Sequence, residues 1–83
     1  MNDKINHLIV VCEAGWIICG VIGGESSDTL LELKEASVVR RWSNGKGIGG
    51  LAKEKYKEDY TLDEIGDVGI RQSKVLFTIP CEW

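Results

Sequence analysis

The sequence is poor in the residues that most often carry catalysis and metal binding. Histidine occurs once, as His7, and the three cysteines have no Cys-x-x-Cys spacing. A tetrahedral zinc site needs four ligands, which these residues do not supply at a suitable spacing. The single histidine also lacks the nucleophile and carboxylate that surround it in a hydrolase. We therefore expect a protein that is not an enzyme and that uses neither a metal nor a cofactor.

Long hydrophobic runs are also missing. No stretch approaches the ~20 apolar residues that span a bilayer, and Glu13 interrupts the apolar run that follows Asp3 and Lys4, so no signal peptide is predicted. Cys12 and Cys19 lie within short apolar segments, as buried reduced thiols do in cytoplasmic proteins. We expect a cytoplasmic protein without a membrane partner.

The composition is that of a small folded domain. The 83 residues are 43% hydrophobic and 28% charged, which predicts a single globular domain spanning residues 1–83. A core of this size provides limited stability, and small domains often gain the rest by association. We therefore expect a homo-oligomer.

Charge is distributed unevenly along the chain. The formal net charge is −3, yet residues 34–57 hold seven Lys or Arg against two acidic residues. The rest of the chain holds three basic and 11 acidic residues. General binding to nucleic acid relies on many Lys and Arg contacts with phosphates. One basic segment on an acidic body therefore favours a compact anionic ligand over a long nucleic acid.

Apolar patterning predicts a chain made mainly of strands. Five segments rich in β-branched or alternating apolar residues are predicted strands: residues 8–12, 16–22, 29–35, 38–42 and 75–79. Gly20, inside the second of them, predicts a bulge or a bend. One amphipathic helix is predicted after the fourth strand, from apolar residues at helical spacing: Ile48, Leu51, Ala52 and Tyr56.

These elements predict an α+β fold that is mainly β, in the order β-β-β-β-α-β. Short connections favour a small antiparallel sheet curled into a barrel or roll, with one short helix over an open end. Between the helix and the last strand, Thr61-Leu62-Asp63-Glu64 has capping-box spacing and predicts a short helical turn. Asp59, Asp63, Glu64 and Asp67 predict a solvated acidic loop around it.

A glycine-rich segment beside basic residues is the candidate site. Residues 45–50 match G-x-G-x-x-G between a predicted strand and the predicted helix, but too little chain follows for a dinucleotide-binding fold. Glycines still let backbone N–H groups approach an anion, arginine clamps phosphate, and aromatic rings stack on bases. The predicted ligand-binding residues are Arg40, Arg41, Trp42, Ser43, Asn44, Gly45, Lys46, Gly47 and Tyr60.

The same segment is also typical of a plain turn. In that interpretation a flexible glycine-rich loop precedes the helix, both arginines lie on a solvated strand, and Trp42 belongs to the core. A regular strand would place Arg40 and Arg41 on opposite faces, and only a bulge would align them.

Several short motifs stand at a recognisable spacing. They are Glu35-Ala36, Trp42-Ser43, Ile48, Leu51-Ala52 and Ile79-Pro80-Cys81. Together with a glycine-bounded hairpin between Gly15 and Gly24, they resemble a family of short phage and prophage proteins catalogued as a domain of unknown function. Arg40, Arg41 and Lys46 depart from the pattern of that family, which has aromatic residues before the tryptophan.

The resemblance implies a phage-encoded protein without catalytic machinery. It implies counter-defence in the cytoplasm of an infected or lysogenic bacterial host, where the protein would act as a sponge that sequesters a cyclic nucleotide messenger of bacterial immunity. Such sponges are typically oligomers with pockets near subunit junctions.

Two other functions remain open at this point. A protein-directed inhibitor of a host defence complex would use the acidic body as a mimic of nucleic acid. A structural or assembly accessory protein would use Trp16 and Trp83 as contacts.

Overall fold

The computed structural model describes residues 7–42, 45–53 and 56–83. Its strands are β1 (His7–Cys12), β2 (Ile17–Ile22), β3 (Leu30–Trp42), β4 (Tyr60–Arg71) and β5 (Val75–Pro80). One α-helix, α1, covers Gly47–Ala52. Single 3-10 turns cover Glu13–Gly15, Lys57–Asp59 and Gln72–Lys74.

The five strands form one antiparallel sheet in the order β4-β3-β2-β1-β5. The prediction of a small, mainly β antiparallel sheet with one short helix is therefore confirmed. The predicted closure into a barrel is wrong, because the sheet stays open and β4 and β5 are its two edges.

The order of elements along the chain also differs from the prediction, and is β-β-β-α-β-β. The segments predicted as separate strands, 29–35 and 38–42, are two halves of β3. The segment predicted as a helical turn and an acidic loop is β4, in which Thr61 lies opposite Arg41 and Glu64 lies opposite Ser37. Pairing with β3 has overridden the local capping signal, as tertiary context commonly does for strands.

Paired irregularities bend the long β3–β4 pair at its middle. Leu33 lies opposite Val68, and the pairing then shifts because β3 carries an extra residue at Glu35, where φ is +51°. On β4, Ile65 has no partner in the ladder next to Gly66, where φ is +79°. Each strand thus gains one residue, so the original register resumes beyond the bend.

Gly20 of β2 lies at the same bend. A Cβ atom there would lie 3.0 Å from the carbonyl oxygen of Lys34 and 3.1 Å from the Cα atom of Ala36. The pairing of β2 with β3 shifts at this point, which confirms the irregularity predicted at Gly20. A side chain at this position would push the two strands apart.

Each face of the sheet contributes to one apolar cluster. The first cluster consists of Val10, Cys12, Ile18, Leu31, Leu33, Ala36 and Ile70. The second cluster consists of Ile9, Cys19, Val39, Leu51, Ala52 and Tyr60, and α1 packs into it. The long β3–β4 pair reaches both clusters, which is how one small sheet supplies two buried layers.

Trp83 closes the second cluster from the side of α1. Its indole N–H donates to the carbonyl oxygen of Leu51 at 2.7 Å, and the ammonium of Lys57 lies 4.2 Å from the ring centroid. The ring of His7 lies 4.3 Å from that of Trp83, centroid to centroid. Trp83 therefore docks within its own chain.

Candidate functional site

Arg40 lies at a second irregularity of β3. The pairing with β4 passes from Val39 to Arg41, so Arg40 is the extra residue. Its guanidinium forms an ion pair with Asp63 at 3.1 Å, and both side chains are more than half exposed. Only a bulge could place Arg40 and Arg41 on the same side of the strand, and a bulge is present here. Arg41 itself stays paired with Thr61.

Most other predicted ligand-binding residues gather where α1 begins. The rings of Trp42 and Tyr60 are 6.0 Å apart, and the buried Tyr60 hydroxyl donates to the carbonyl oxygen of Gly47. The ammonium of Lys46 lies 5.0 Å from the Tyr56 ring. Gly45 and Gly47 have positive φ angles of 72° and 67°. Ser43 and Asn44 lie outside the described residues.

This arrangement weakens Tyr60 as a stacking partner for a ligand. Only 8% of Tyr60 is exposed, and its hydroxyl is already engaged with Gly47. Trp42 is 36% exposed and Lys46 is exposed, so these two remain accessible. The helix that follows has only six residues, too short for a substantial macrodipole.

A cavity of about 470 Å³ opens beside Trp16, on the first cluster. Its lining residues are Cys12, Glu13, Ala14, Trp16, Ile18, Val68, Gly69, Ile70, Arg71 and Lys74. Buried Cys12, Ile18 and Ile70 supply apolar walls, whereas Trp16 is 56% exposed. The cavity forms because the end of β4 lies near the turn between β1 and β2.

Trp16 also lines a second cavity, of about 290 Å³. The other lining residues are Ala14, Gly15, Ile17, Val38, Val39 and Arg40. The turn that presents Trp16 has Ala14 and Gly15 at positive φ angles of 65° and 81°. The structure thus places Arg40 beside the exposed Trp16, whereas the sequence predicts a site that combines Arg40 with Trp42.

Two cations and one anion lie at the rim of the larger cavity. Lys74 forms an exposed ion pair with Glu13 at 3.5 Å, and Arg71 is exposed. Burial raises the pKa of the Cys12 thiol, so that thiol is neutral at pH 7 and is a poor nucleophile. The site offers an apolar floor, a large aromatic surface and positive charge, which suits binding better than covalent chemistry.

The sequence does not reveal this site, for two reasons. Trp16 follows a glycine turn and precedes an apolar strand, a position typical of a core or interface residue. Arg71 lies at the end of β4, where the sequence predicts no strand, helix or turn. A tryptophan beside a glycine at the tip of a predicted hairpin is the one signal that points to an exposed ring.

The described residues hold neither a membrane-spanning helix nor a metal cluster. No helix among them is long and apolar enough to cross a bilayer. No group of three or more His, Cys, Asp or Glu within 7–42, 45–53 and 56–83 could hold a metal ion.

Comparisons with protein-family models, with curated proteins and with solved structures gave no match to this chain. The resemblance to the phage family therefore stays a prediction, and the geometry around Trp16 carries the functional argument.

Proposed function

We propose that this protein is a non-enzymatic binding protein that captures a small phosphorylated nucleotide at the cavity beside Trp16. The observation that carries the proposal is the combination in one place of a 470 Å³ cavity, an exposed indole and two cationic side chains, of which Lys74 also pairs with Glu13. Ligand pockets of this kind are mostly apolar, with a few polar groups that fix orientation.

In this binding mode the base stacks on Trp16 and the phosphate lies at Arg71 and Lys74. Stacking of a base on an aromatic side chain contributes ~1–3 kcal/mol. Arginine adds paired hydrogen bonds to the phosphate oxygens. Arg40 lines the neighbouring cavity, so a ligand with two phosphates could reach cations on both sides of the indole.

The surface charge supports a small ligand over a long nucleic acid. The edge strand β4 exposes Asp63, Glu64 and Asp67, which would repel a phosphate backbone laid across the sheet. The local positive charge at the cavity is confined to a few side chains, which matches a compact anion.

The narrower expectation, a cyclic messenger of bacterial immunity, comes from the family resemblance alone. It determines the ligands to be tested first and adds nothing to the geometric argument. A host cytoplasm is likewise part of that expectation.

The test is native mass spectrometry and calorimetric titration with cyclic dinucleotides, cyclic trinucleotides and cyclic ADP-ribose isomers. We expect one of them to bind at micromolar concentration or below. Trp16→Ala should weaken that binding at least tenfold, and Arg71→Ala should do the same through the phosphate.

Trp42→Ala is the matched control, since it removes another exposed tryptophan from the segment predicted by sequence. It should leave affinity unchanged. Loss of binding in Trp42→Ala and in the Arg40→Ala/Arg41→Ala double variant, with Trp16→Ala unaffected, would move the site to the start of α1. Absence of binding to every ligand in the panel would refute the nucleotide proposal.

A further inference from the structure

We propose that the outer edge of β5 is a self-association surface, along which β5 pairs antiparallel with β5 of a second copy of this chain. The sheet then runs continuously across the two copies. This inference rests on the edge of the sheet, and Lys74 is the one residue that it shares with the proposed ligand site.

The backbone of β5 has unpaired groups that face outward. Among the described residues, β5 pairs with β1 alone, and the N–H of Cys81 donates to the carbonyl oxygen of His7 at 2.9 Å. Antiparallel hydrogen bonding alternates along a strand. With Val10 opposite Thr78 in the same register, the N–H and C=O of Thr78 therefore point away from β1.

The edge of β5 is only partly protected, by Pro80 and by an extra residue at Leu76 in the pairing with β1. No residue from Val75 to Pro80 is charged, and Leu76 and Phe77 are 61% and 51% exposed. An uncharged edge strand with exposed apolar side chains is a template for another strand.

Charge at the two ends of β5 favours a second copy as the occupant. Lys74 precedes the strand and Glu82 follows it, and both side chains are at least 60% exposed. Within one chain Lys74 pairs with Glu13 and Glu82 pairs with Lys53, both at 3.5 Å, and exposed pairs of this kind are weak enough to exchange partners. Antiparallel pairing around a two-fold axis at Thr78 places Lys74 near the partner's Glu82, and the reverse. A parallel arrangement would set like charges side by side.

The same register also matches the apolar side chains. When Thr78 lies opposite the partner's Thr78, Phe77 lies opposite the partner's Ile79, and Leu76 lies opposite the partner's Pro80. Pro80 has no N–H, so in this register it donates no hydrogen bond to the partner's Leu76, and the backbone pairing is centred on Thr78.

Pairing at β5 closes the assembly at two copies. The edges that remain free in the pair are the two β4 strands, which carry exposed acidic side chains and a bulge at Gly66. Such edges resist further strand addition, so the geometry points to a dimer and not to a fibre.

The test is the mass of the 83-residue chain in solution, measured by sedimentation or light scattering across a concentration series. We expect a dimer at about 100 µM. Thr78→Lys places a positive charge against its own copy at the two-fold axis and should raise the dimer dissociation constant at least tenfold. The matched control is Thr61→Lys, an exposed threonine on the β4 edge, which should leave the dimer intact.

A second measurement guards against misfolding of Thr78→Lys. In the wild-type chain the outward N–H of Thr78 should exchange slowly with solvent at high concentration and rapidly after dilution. A monomeric wild type at 100 µM, a dimer that Thr78→Lys leaves unchanged, or an exchange rate independent of concentration would each overturn the proposal.

Discussion

The two edge strands of the sheet, β4 and β5, differ in charge and in the exposure of their apolar side chains. β4 is the longer edge and carries Asp63, Glu64 and Asp67 with a bulge at Gly66. β5 is half as long, uncharged, and presents Leu76 and Phe77 to solvent. The charged edge contributes Ile70 and Tyr60 to the buried clusters. The apolar edge keeps its largest side chains outside.

The comparison separates two uses of apolar surface. On β4, buried Tyr60 and Ile70 stabilise the monomer, Ile65 is 42% exposed at the bulge, and charge keeps other strands away. On β5, the apolar residues that remain outside contribute little to the monomer and are available for contact. Four substitutions, taken from the largest expected effect to the smallest, test this difference between β4 and β5.

The largest effect should come from removing an inward side chain of β4. Ile70 is 8% exposed within the first cluster, so Ile70→Ala should lower the free energy of unfolding by about 3 kcal/mol. Leu76→Ala, on the other edge, should lower it by less than about 0.5 kcal/mol. Urea unfolding at low micromolar protein concentration measures both losses of unfolding free energy. Equal losses would contradict the difference between β4 and β5.

The next effect should come from the bulge that protects β4. Gly66 has a φ of +79°, and the space where a Cβ atom would lie is open, so Gly66→Ala should cost about 1–2 kcal/mol through backbone strain alone. Gly24 also has open space, and its φ lies outside the left-handed range. Gly24→Ala is therefore the control, and thermal unfolding should show it neutral or slightly stabilising.

A pH effect of about 1 kcal/mol is expected at the end of β5. Burial, and then the neighbouring Cys19, raise the pKa of Cys81 from 9.0 to about 11. A raised thiol pKa stabilises the fold below pH 9, and this stabilisation is lost as the pH rises toward 11. The expected loss of unfolding free energy is smaller than the whole pKa shift would give, because Cys81 is only half buried and solvent screens its charge.

Unfolding of the wild type and of Cys81→Ala, measured from pH 8 to pH 11, isolates this contribution. The difference in unfolding free energy between the two chains should shrink as the pH rises through that range. A constant difference would show that Cys81 does not titrate with folding.

The smallest effect concerns the charges of β4. Hydrogen bonding to Asp67 and its charge, and next the charge of Glu32, raise the pKa of Lys34. The Asp67 carboxylate lies 3.4 Å from the Lys34 ammonium and also accepts the N–H of Glu35. Asp67→Asn should lower the pKa of Lys34, as followed by NMR titration, while Glu64→Gln should not. An unchanged Lys34 pKa in Asp67→Asn would mean that the ion pair between Lys34 and Asp67 does not persist in solution.

Much of the sheet was predictable from local pattern. β1, β2 and β5 fall within one residue of the predicted segments at both ends, because apolar runs bounded by turns specify strands directly. β4 was not predictable in this way. It is rich in acidic residues and glycine, which disfavour strands locally, and it forms because β3 offers a partner with a matching register.

The candidate site depended on the same long-range pairing. The bulge at Arg40 and the cavity beside Trp16 exist only once β4 has joined the sheet. The sequence predicts a site that combines Arg40 with Trp42. The pairing of the strands, which places Arg40 beside Trp16, cannot be read from the local sequence.

The extra residues at Glu35 and Ile65 determine how the sheet accepts changes in chain length. With Glu35 in place, Leu33 and Ala36 are three positions apart and yet lie in the same cluster. Deleting Glu35 would leave them two positions apart, the spacing at which a regular strand places residues on one face. Deleting Ile65 would likewise leave Gly66 and Glu64 as adjacent residues of a regular strand, opposite the same partners, Ala36 and Ser37. Either deletion therefore keeps side chains on their faces, whereas a residue inserted into the regular part of either strand would turn the rest of that strand over.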